Sequence, residues 1–152
     1  FNTFGPRQSA RAVIPTIITQ AITGKKIKIG NLSATRDFLY VEDLCSAYEK
    51  IFKSKKLFGE TVNVGVNSEI SIKNLILHIS SLLKMKLEII VEKKRVRPKK
   101  SEVLRLKCDN TKLSNITNWK PKYKLDDGLK KLIEWLKKDN NMKNYKPENY
   151  NI

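Results

Sequence analysis

The sequence predicts an α/β fold in which short strands alternate with amphipathic helices. Apolar residues recur at helical spacing in several segments, and short β-rich runs separate these segments. The 152 residues, 40% of them hydrophobic, suffice for one ordinary domain with a core, and no apolar run approaches the roughly 18–20 residues of a membrane span. No glycine-rich phosphate loop opens a strand–helix–strand unit. By itself the chain is therefore expected to form a partial sheet with helices packed on it.

The first eight residues predict the end of a strand that runs into a tight loop. Gly5 is free in φ and Pro6 has φ preset near −65°, so the chain turns sharply after Phe4. Loops at strand ends are common places for ligand sites. Because the sequence starts without methionine or a signal segment, we expect the part of the protein that explains this loop to precede it.

The next segments predict a helix and two strands. Residues 12–23 carry apolar side chains at helical spacing, with Pro15 near the start, where a missing N–H costs little, and Gly24 at the end. Residues 26–29 alternate like a short strand, and residues 37–41 predict another strand.

The middle of the chain predicts two more helices. Residues 41–54 show an apolar stripe, with Glu42 and Asp43 in the first turn, where the helix dipole favours negative charge. Residues 61–65 predict a strand. A third helix is expected over residues 72–83, with Ser71 as its N-cap.

The last part predicts one strand, two helices and a tail. The elements expected there are a strand over residues 87–91, a short helix capped by residues 109–111 that ends near residue 116, a turn with a buried Trp119, a helix over residues 126–139 and a loose polar tail over residues 141–152.

Composition gives a strong but ambiguous signal. The net charge of +16 invites a nucleic-acid interpretation, but lysines are spread over the whole chain, which favours solvated surface lysines and makes a nucleic-acid partner the less favoured alternative. Cys45 and Cys108 lie far apart without a Cys-x-x-Cys pair. A disulfide framework or a zinc site is therefore not expected, and a reducing cytoplasm fits this pattern.

Candidate catalytic groups are scarce, whereas candidate phosphate ligands are present. The lone His78 falls at the edge of an apolar stripe, and Glu42 and Asp43 are explained by the helix dipole, so no catalytic or metal-binding residue is predicted. Arg36 and Arg97 lie beside predicted strands, and a guanidinium suits phosphate oxygens, although Arg36 could equally form a structural pair with a carboxylate.

Several motifs, in order, resemble the extended short-chain dehydrogenase/reductase family that acts on nucleotide sugars. The resemblance covers nearly the whole chain, and its most specific part is Arg-Asp-Phe-x-Tyr-Val-x-Asp. The matching stretches are residues 2–8 (NTFGPRQ), Ile14-Pro15, residues 35–43 (TRDFLYVED), residues 63–65 (NVG), Arg97-Pro98, residues 109–112 (DNTK), residues 119–121 (WKP) and residues 128–135.

The resemblance is to the C-terminal half of the family only. The glycine-rich NAD loop and the Tyr-x-x-x-Lys pair of the N-terminal half are missing from the sequence. The resemblance implies a Rossmann domain upstream that binds NAD, a substrate-binding part in residues 1–140, and segments here that pack on the missing NAD domain. For a 4,6-dehydratase of this family, the resemblance implies that NAD oxidises the sugar at C4, that water is eliminated across C5–C6, and that hydride returns to C6.

The resemblance also implies a set of substrate contacts. Arg36 and Arg97 match arginines that bind the diphosphate, and Asn2 matches an amide that reaches it. Val13 matches a helix-start residue that contacts the diphosphate through its backbone. Ile27 and Ile29 match a strand that packs on the base, and the amide of Asn63 matches one beside the nucleotide.

One departure concerns the residues after Arg97-Pro98. Many relatives continue with Gly-Asp, whereas residues 99–102 here are Lys-Lys-Ser-Glu.

The whole set of motifs favours one interpretation: the chain is the substrate-binding part of an NAD-dependent nucleotide-sugar 4,6-dehydratase. The parent enzyme is expected to be a homodimer in the cytoplasm, and the chain alone is expected to be inactive. A 4-epimerase of the same fold and a stand-alone basic binding module are the alternatives.

Overall fold

The computed structural model describes residues 1–96, 98, 100–138 and 140–146, with the side chain of Asn144 excepted. Five α-helices lie within these residues, and each coincides with an apolar stripe or a capping signal of the sequence. They are α1 (Val13–Gly24), α2 (Val41–Lys53), α3 (Ile72–Leu83), α4 (Thr111–Thr117) and α5 (Leu125–Lys137). Short 3₁₀ turns occupy Lys55–Leu57, Lys93–Arg95 and Asn141–Asn144.

Seven short strands form three small sheets in the described part of the chain. They are β1 (Asn2–Phe4), β2 (Lys26–Ile29), β3 (Thr35–Arg36), β4 (Phe38–Tyr40), β5 (Ile70–Ser71), β6 (Glu88–Val91) and β7 (Arg105–Leu106). The β1–β4 and β2–β6 pairs are parallel, with Asn2 opposite Phe38 and Ile27 opposite Ile89. In the third sheet β3 lies between antiparallel β5 and parallel β7.

The main core lies between α1, α3 and α5 and the two parallel strand pairs. Its fully buried side chains come from the helical stripes and from the strands, namely Phe4, Ile14, Ile17, Ile18, Ile27, Leu75, Ile76, Ile79, Leu129 and Leu132. Gly128 of α5 lets the helix approach β1 and β4 closely, because a Cβ there would lie 2.7 Å from Cζ of Phe4. The strands are thus held mainly by helix packing, since most of them are only two to four residues long.

A second, smaller core lies under α2. It joins Leu39, Ala47, Leu57, Leu113 and Trp119. The indole N–H of Trp119 donates to Oγ of Ser46 over 2.9 Å, so this buried aromatic ring, which the sequence predicts, also has its polar atom satisfied.

The predicted strand over residues 61–65 is wrong. This segment forms no ladder with the described strands; its valines pack on the second core, and side chains satisfy its backbone. The carbonyl of Gly65 accepts from the amide of Asn110 (2.7 Å), and the carbonyl of Thr61 accepts from Lys112 (3.0 Å). The β-rich composition therefore reflects burial on one side and not sheet pairing.

Some element boundaries and the tail also differ from the sequence prediction. The predicted strand over 37–41 is shorter, because α2 already begins at Val41. Helix α1 includes Gly24, and Lys25 takes the left-handed conformation that ends it (φ 59°). Within the predicted loose tail, the described residues up to 146 pack on the domain: Tyr145 is buried and its hydroxyl donates to the carbonyl of Gln8 over 2.8 Å.

Asp37 is a fully buried carboxylate at the centre of the fold. It accepts backbone N–H bonds from Val66 (2.9 Å), Ser68 (3.2 Å) and Cys108 (3.2 Å). Burial and the nearby Asp37 charge together raise the pKa of the Cys108 thiol to about 11. Because a buried charge is tolerated only when hydrogen-bonded, two segments, residues 66–68 and the chain at Cys108, are held beside β4 by one side chain.

Asp43 plays the same role six residues later. It is 2% exposed and accepts from the backbone N–H groups of Lys122 (2.8 Å) and Tyr123 (3.0 Å). The neighbouring Glu42 stays at the surface, where the Tyr123 hydroxyl, its hydrogen-bond donor, lowers its pKa. Of the two acidic residues in the first turn of α2, one therefore fixes a distant loop.

Among the described helices, none combines the length and the apolar character that a bilayer span requires.

We predict that Asp37→Asn lowers the free energy of unfolding by about 2–4 kcal/mol, because an amide nitrogen would face backbone N–H donors and the charge-assisted bonds would be lost. Urea denaturation measures this change. Asp109→Asn is the control, since the exposed Asp109 accepts from the N–H of Thr111 and the side-chain oxygen of Asn can accept the same bond. Equal stability of the two variants would contradict the role of Asp37.

Candidate functional site

A cavity of about 440 Å³, here called the first cavity, opens between the start of α1, the end of β2 and the chain around Glu102. Its size falls in the range of small-molecule sites in proteins. Its walls come from the loop after β1, from the Gly30-Asn31 turn and from β3. Segments far apart in the sequence therefore converge on one concave surface.

Four of the residues singled out from the sequence line this cavity: Asn2, Val13, Ile29 and Arg36. Val13 is the first residue of α1, and Ile29 is the last residue of β2. The amide of Asn2 donates to the carbonyl of Asp37 over 3.2 Å, which ties β1 to the chain just before β4. The structure thus brings together residues that the sequence only sets in order.

The other three predicted residues lie elsewhere. Ile27 is fully buried in the main core and Asn63 is exposed, and neither lines the first cavity. Arg97 lies outside the described residues. The roles of these three residues in ligand binding remain predictions.

Arg36 is held in place at the cavity wall. Its Nη1 donates to the carbonyl of Thr35 over 2.7 Å, and its Nη2 lies 3.3 Å from Oε1 of Glu102. The side chains of Arg36 and Glu102 are only 15% and 13% exposed. The structural pair that the sequence leaves open is therefore formed, and it holds the guanidinium on the cavity surface.

Three further cationic side chains line the first cavity without having been singled out from the sequence: Arg11, Lys28 and Arg95. Arg95 is nearly buried, and its Nε donates to Glu92 over 2.7 Å, which lowers the pKa of that carboxyl. Arg95 stands two residues before Arg97, which the family resemblance singles out. For Lys28 the sequence does contain a signal, because this residue stands between Ile27 and Ile29 in the predicted strand over residues 26–29.

Gly30 permits the closest backbone approach in this region. A Cβ on Gly30 would lie 2.1 Å from the carbonyl oxygen of Arg95, so only glycine allows the two chain segments to meet. The contact sets the distance between the β2 wall and the Arg95 wall of the first cavity. The glycine therefore determines the width of the site.

Comparisons with known proteins match the chain to enzymes of nucleotide sugars. The sequence model of the family described as GDP-mannose 4,6 dehydratase matches residues 1–132. The chain belongs to this family. It is 32% identical over 142 residues to the dTDP-glucose 4,6-dehydratase of Shigella flexneri, an alignment that covers 88% of this chain and 38% of that protein.

Solved structures agree with this membership. The dTDP-glucose 4,6-dehydratase of Bacillus anthracis, in complex with NAD, superposes with a TM-score of 0.78 and 29% identity over 91% of this chain and 43% of that one. A variant of the UDP-glucuronic acid 4-epimerase of Bacillus cereus, bound to UDP-4-deoxy-4-fluoro-glucuronic acid and NAD, superposes with a TM-score of 0.82 and 25% sequence identity. This match covers 90% of this chain and 43% of that one. The family is that of the extended Rossmann-type dehydrogenase/reductases, and the chain spans less than half the length of these relatives.

The described residues do not fit a dinucleotide. The six glycines of the sequence, at positions 5, 24, 30, 59, 65 and 128, contain no closely spaced glycine loop, and the described sheets hold two or three short strands each. Dinucleotide sites need such a loop between a strand and a helix, where backbone N–H groups meet the pyrophosphate. The described residues therefore contain no loop of the kind that the pyrophosphate of a dinucleotide requires.

We predict that Gly30→Ala lowers the free energy of unfolding by about 1–3 kcal/mol, because the added methyl group forces the β2 turn and Arg95 apart. Thermal unfolding followed by circular dichroism measures the change. Gly24→Ala provides the matched control, since nothing lies within 4 Å of a Cβ at that position. A Gly30 variant as stable as the Gly24 variant would show that the close approach is not needed.

Proposed function

We propose that the first cavity holds the diphosphate of a nucleotide sugar, within the substrate-binding part (residues 1–140) of an NAD-dependent nucleotide-sugar 4,6-dehydratase. The observation that carries the proposal is the convergence of four cationic side chains, Arg11, Lys28, Arg36 and Arg95, on a cavity that also contains Asn2 and the start of α1. Arginine and lysine donors bind phosphate oxygens through charge-assisted hydrogen bonds. We propose Arg97 as a further diphosphate ligand.

The proposed role of the chain is orientation. A diphosphate fixed between α1, β2 and Arg36 leaves the sugar in a defined direction, which converts a loose encounter into a positioned one. The nucleotide base would lie along β2, where Ile29 lines the cavity, and Asn63 would contact the nucleotide. We propose that NAD and the groups that handle the C4 proton belong to another part of the protein.

Exposed aromatic side chains support contact with such a part. Tyr48, Phe52 and Phe58 are 61%, 84% and 69% exposed, an unusual state for large apolar groups. We propose that segments around α2 pack on the NAD-binding region. We also propose that the complete enzyme is a homodimer and that it works in the cytoplasm. The reducing conditions there keep Cys45 and Cys108 as free thiols.

A 4-epimerase is the second candidate, because solved relatives include an epimerase bound to a UDP-sugar derivative. Both reactions need the same hold on the diphosphate, so the first cavity serves either one. A nucleic-acid-binding module is disfavoured because the four cationic side chains line one cavity, whereas polyanion binding draws on many surface lysines and depends steeply on salt.

We predict that Arg36→Ala weakens binding of UDP or dTDP by about 10- to 100-fold, which corresponds to the loss of one charge-assisted contact of about 1.5–3 kcal/mol. Isothermal titration calorimetry at fixed salt measures the affinity. Arg105→Ala is the matched control, because Arg105 is also paired with a carboxylate, Glu69, but is exposed and lines no part of the cavity. Equal losses in both variants would indicate a general charge effect and refute the assignment.

We also predict that the 152-residue chain, supplied with NAD and UDP- or dTDP-sugars, gives no 4-keto-6-deoxy product. The chain lacks the Tyr-x-x-x-Lys pair and the glycine loop on which the family's chemistry depends. Product formation measured by chromatography of the sugar nucleotides would disprove the prediction, and binding of the same nucleotides by the same sample serves as the positive control.

A further inference from the structure

A second cavity of about 670 Å³ lies between β5, the first two turns of α3 and residues 121–125. It is separate from the diphosphate site proposed above, and only Arg36 and Phe38 line both cavities. The family resemblance assigns it no ligand. Its volume lies in the range of small-molecule sites.

The two edges of the second cavity are fixed by buried carboxylates. Asp37 holds the backbone N–H groups of Val66 and Ser68 at one edge, and Asp43 holds those of Lys122 and Tyr123 at the other. On the α3 side, Nδ1 of His78 lies 2.7 Å from Oδ1 of Asp126, which links α3 to the start of α5. The cavity is therefore formed before any ligand arrives, which reduces the entropic cost of binding.

The lining of the second cavity combines cationic and apolar side chains. Lys122 and Lys124 carry exposed ammonium groups that form no ion pair with described residues, and the side-chain amide of Asn74 has no hydrogen bond within the same part of the chain. The negative charge of Glu69 is already compensated by Arg105 (2.6 Å) and by the hydroxyl of Thr35 (2.7 Å).

The apolar part of the lining comes from Phe38, Ile70, Pro121 and Leu125, together with the ring of Tyr123. The Tyr123 hydroxyl donates to Glu42, and Lys122 lies 5.8 Å from the ring centroid. The ring is thereby held with its hydroxyl already engaged. An aromatic or other apolar group can pack on this surface while an attached anion meets the lysines.

We propose that the second cavity binds a small phosphate monoester that carries an aromatic or apolar group. Ammonium groups bind phosphate as point charges, and the unpaired amide of Asn74 adds a directed donor. The apolar lining contributes through burial of the attached group. The site is distinct from the first cavity, so the proposal stands or falls independently of the proposed diphosphate site.

The test is a ¹H–¹⁵N NMR titration of the 152-residue chain with phenyl phosphate, the smallest probe that has both features. We expect saturable shifts that cluster at residues 66–70, 74, 78 and 121–125. The double variant Lys122→Ala/Lys124→Ala should weaken binding by about threefold or more, given two partly solvated charge contacts. The double variant Lys120→Ala/Lys130→Ala is the matched control and should leave the affinity unchanged, since both lysines are exposed and line neither cavity.

A second arm replaces phenyl phosphate by inorganic phosphate, which should bind more weakly because it buries no apolar group. Equal affinity for the two probes would overturn the assigned ligand class. Shifts confined to Val13, Gly30 and their neighbours would place the anion in the first cavity and refute the second site while leaving the proposed function intact. Shifts scattered over lysines along the whole chain, equally reduced in both double variants, would show non-specific anion binding and also refute the proposal.

Discussion

The carboxylate of Asp37 binds two distant segments of the chain through backbone N–H donors. Val66 and Ser68 lie 29 and 31 residues away in sequence, and Cys108 lies 71 residues away. Short strands cannot hold such distant segments together, because each contributes only a few ladder bonds. A buried charge is stable only when hydrogen-bond donors lie in fixed positions around it. Without these donors its desolvation penalty is not compensated. The positions of β3, β4 and the 66–68 segment thus follow from one side chain.

The position of the functional groups follows from the same constraint. Arg36 and Phe38 flank Asp37 in sequence, and both line the two cavities. Gly65 allows the arrangement, because a Cβ there would lie 2.5 Å from Cβ of Cys108 and 3.0 Å from Oδ1 of Asp37. The motif Arg-Asp-Phe-x-Tyr-Val-x-Asp therefore contains two structural carboxylates, Asp37 and Asp43, and one cation, Arg36, on the cavity wall.

The sequence predicts those elements whose stability is local. Helix α3 is an example: its apolar stripe defines the buried face, and Oγ of Ser71 accepts from the N–H of Asn74 as an N-cap should. The two-residue strands β5 and β7 have no such signal, since they exist only because β3 lies between them. The segment over residues 61–65 has strand composition, yet its backbone is satisfied by Asn110 and Lys112, contacts that no periodicity reveals.

The candidate site divides in the same way. Asn2, Val13, Ile29 and Arg36 were found through an ordered motif, and the fold brings them to one cavity. Arg11, Lys28 and Arg95 were hidden by the abundance of basic residues, since a charge of +16 makes any one cation uninformative. Only burial separates Arg95, whose side chain is 8% exposed, from its solvated lysine neighbours.

The Arg36–Glu102 pair explains how a cation can be kept partly buried and still be ready for a ligand. A guanidinium has five N–H donors, and bonds to described residues use one on Nη1 and one on Nη2. Glu102 thus compensates the charge in the absence of ligand, at a 3.3 Å separation that is long for a charge-assisted bond. In the proposed complex the remaining donors would meet phosphate oxygens without breaking the pair. The side chain would then bind already oriented and would lose little rotamer entropy.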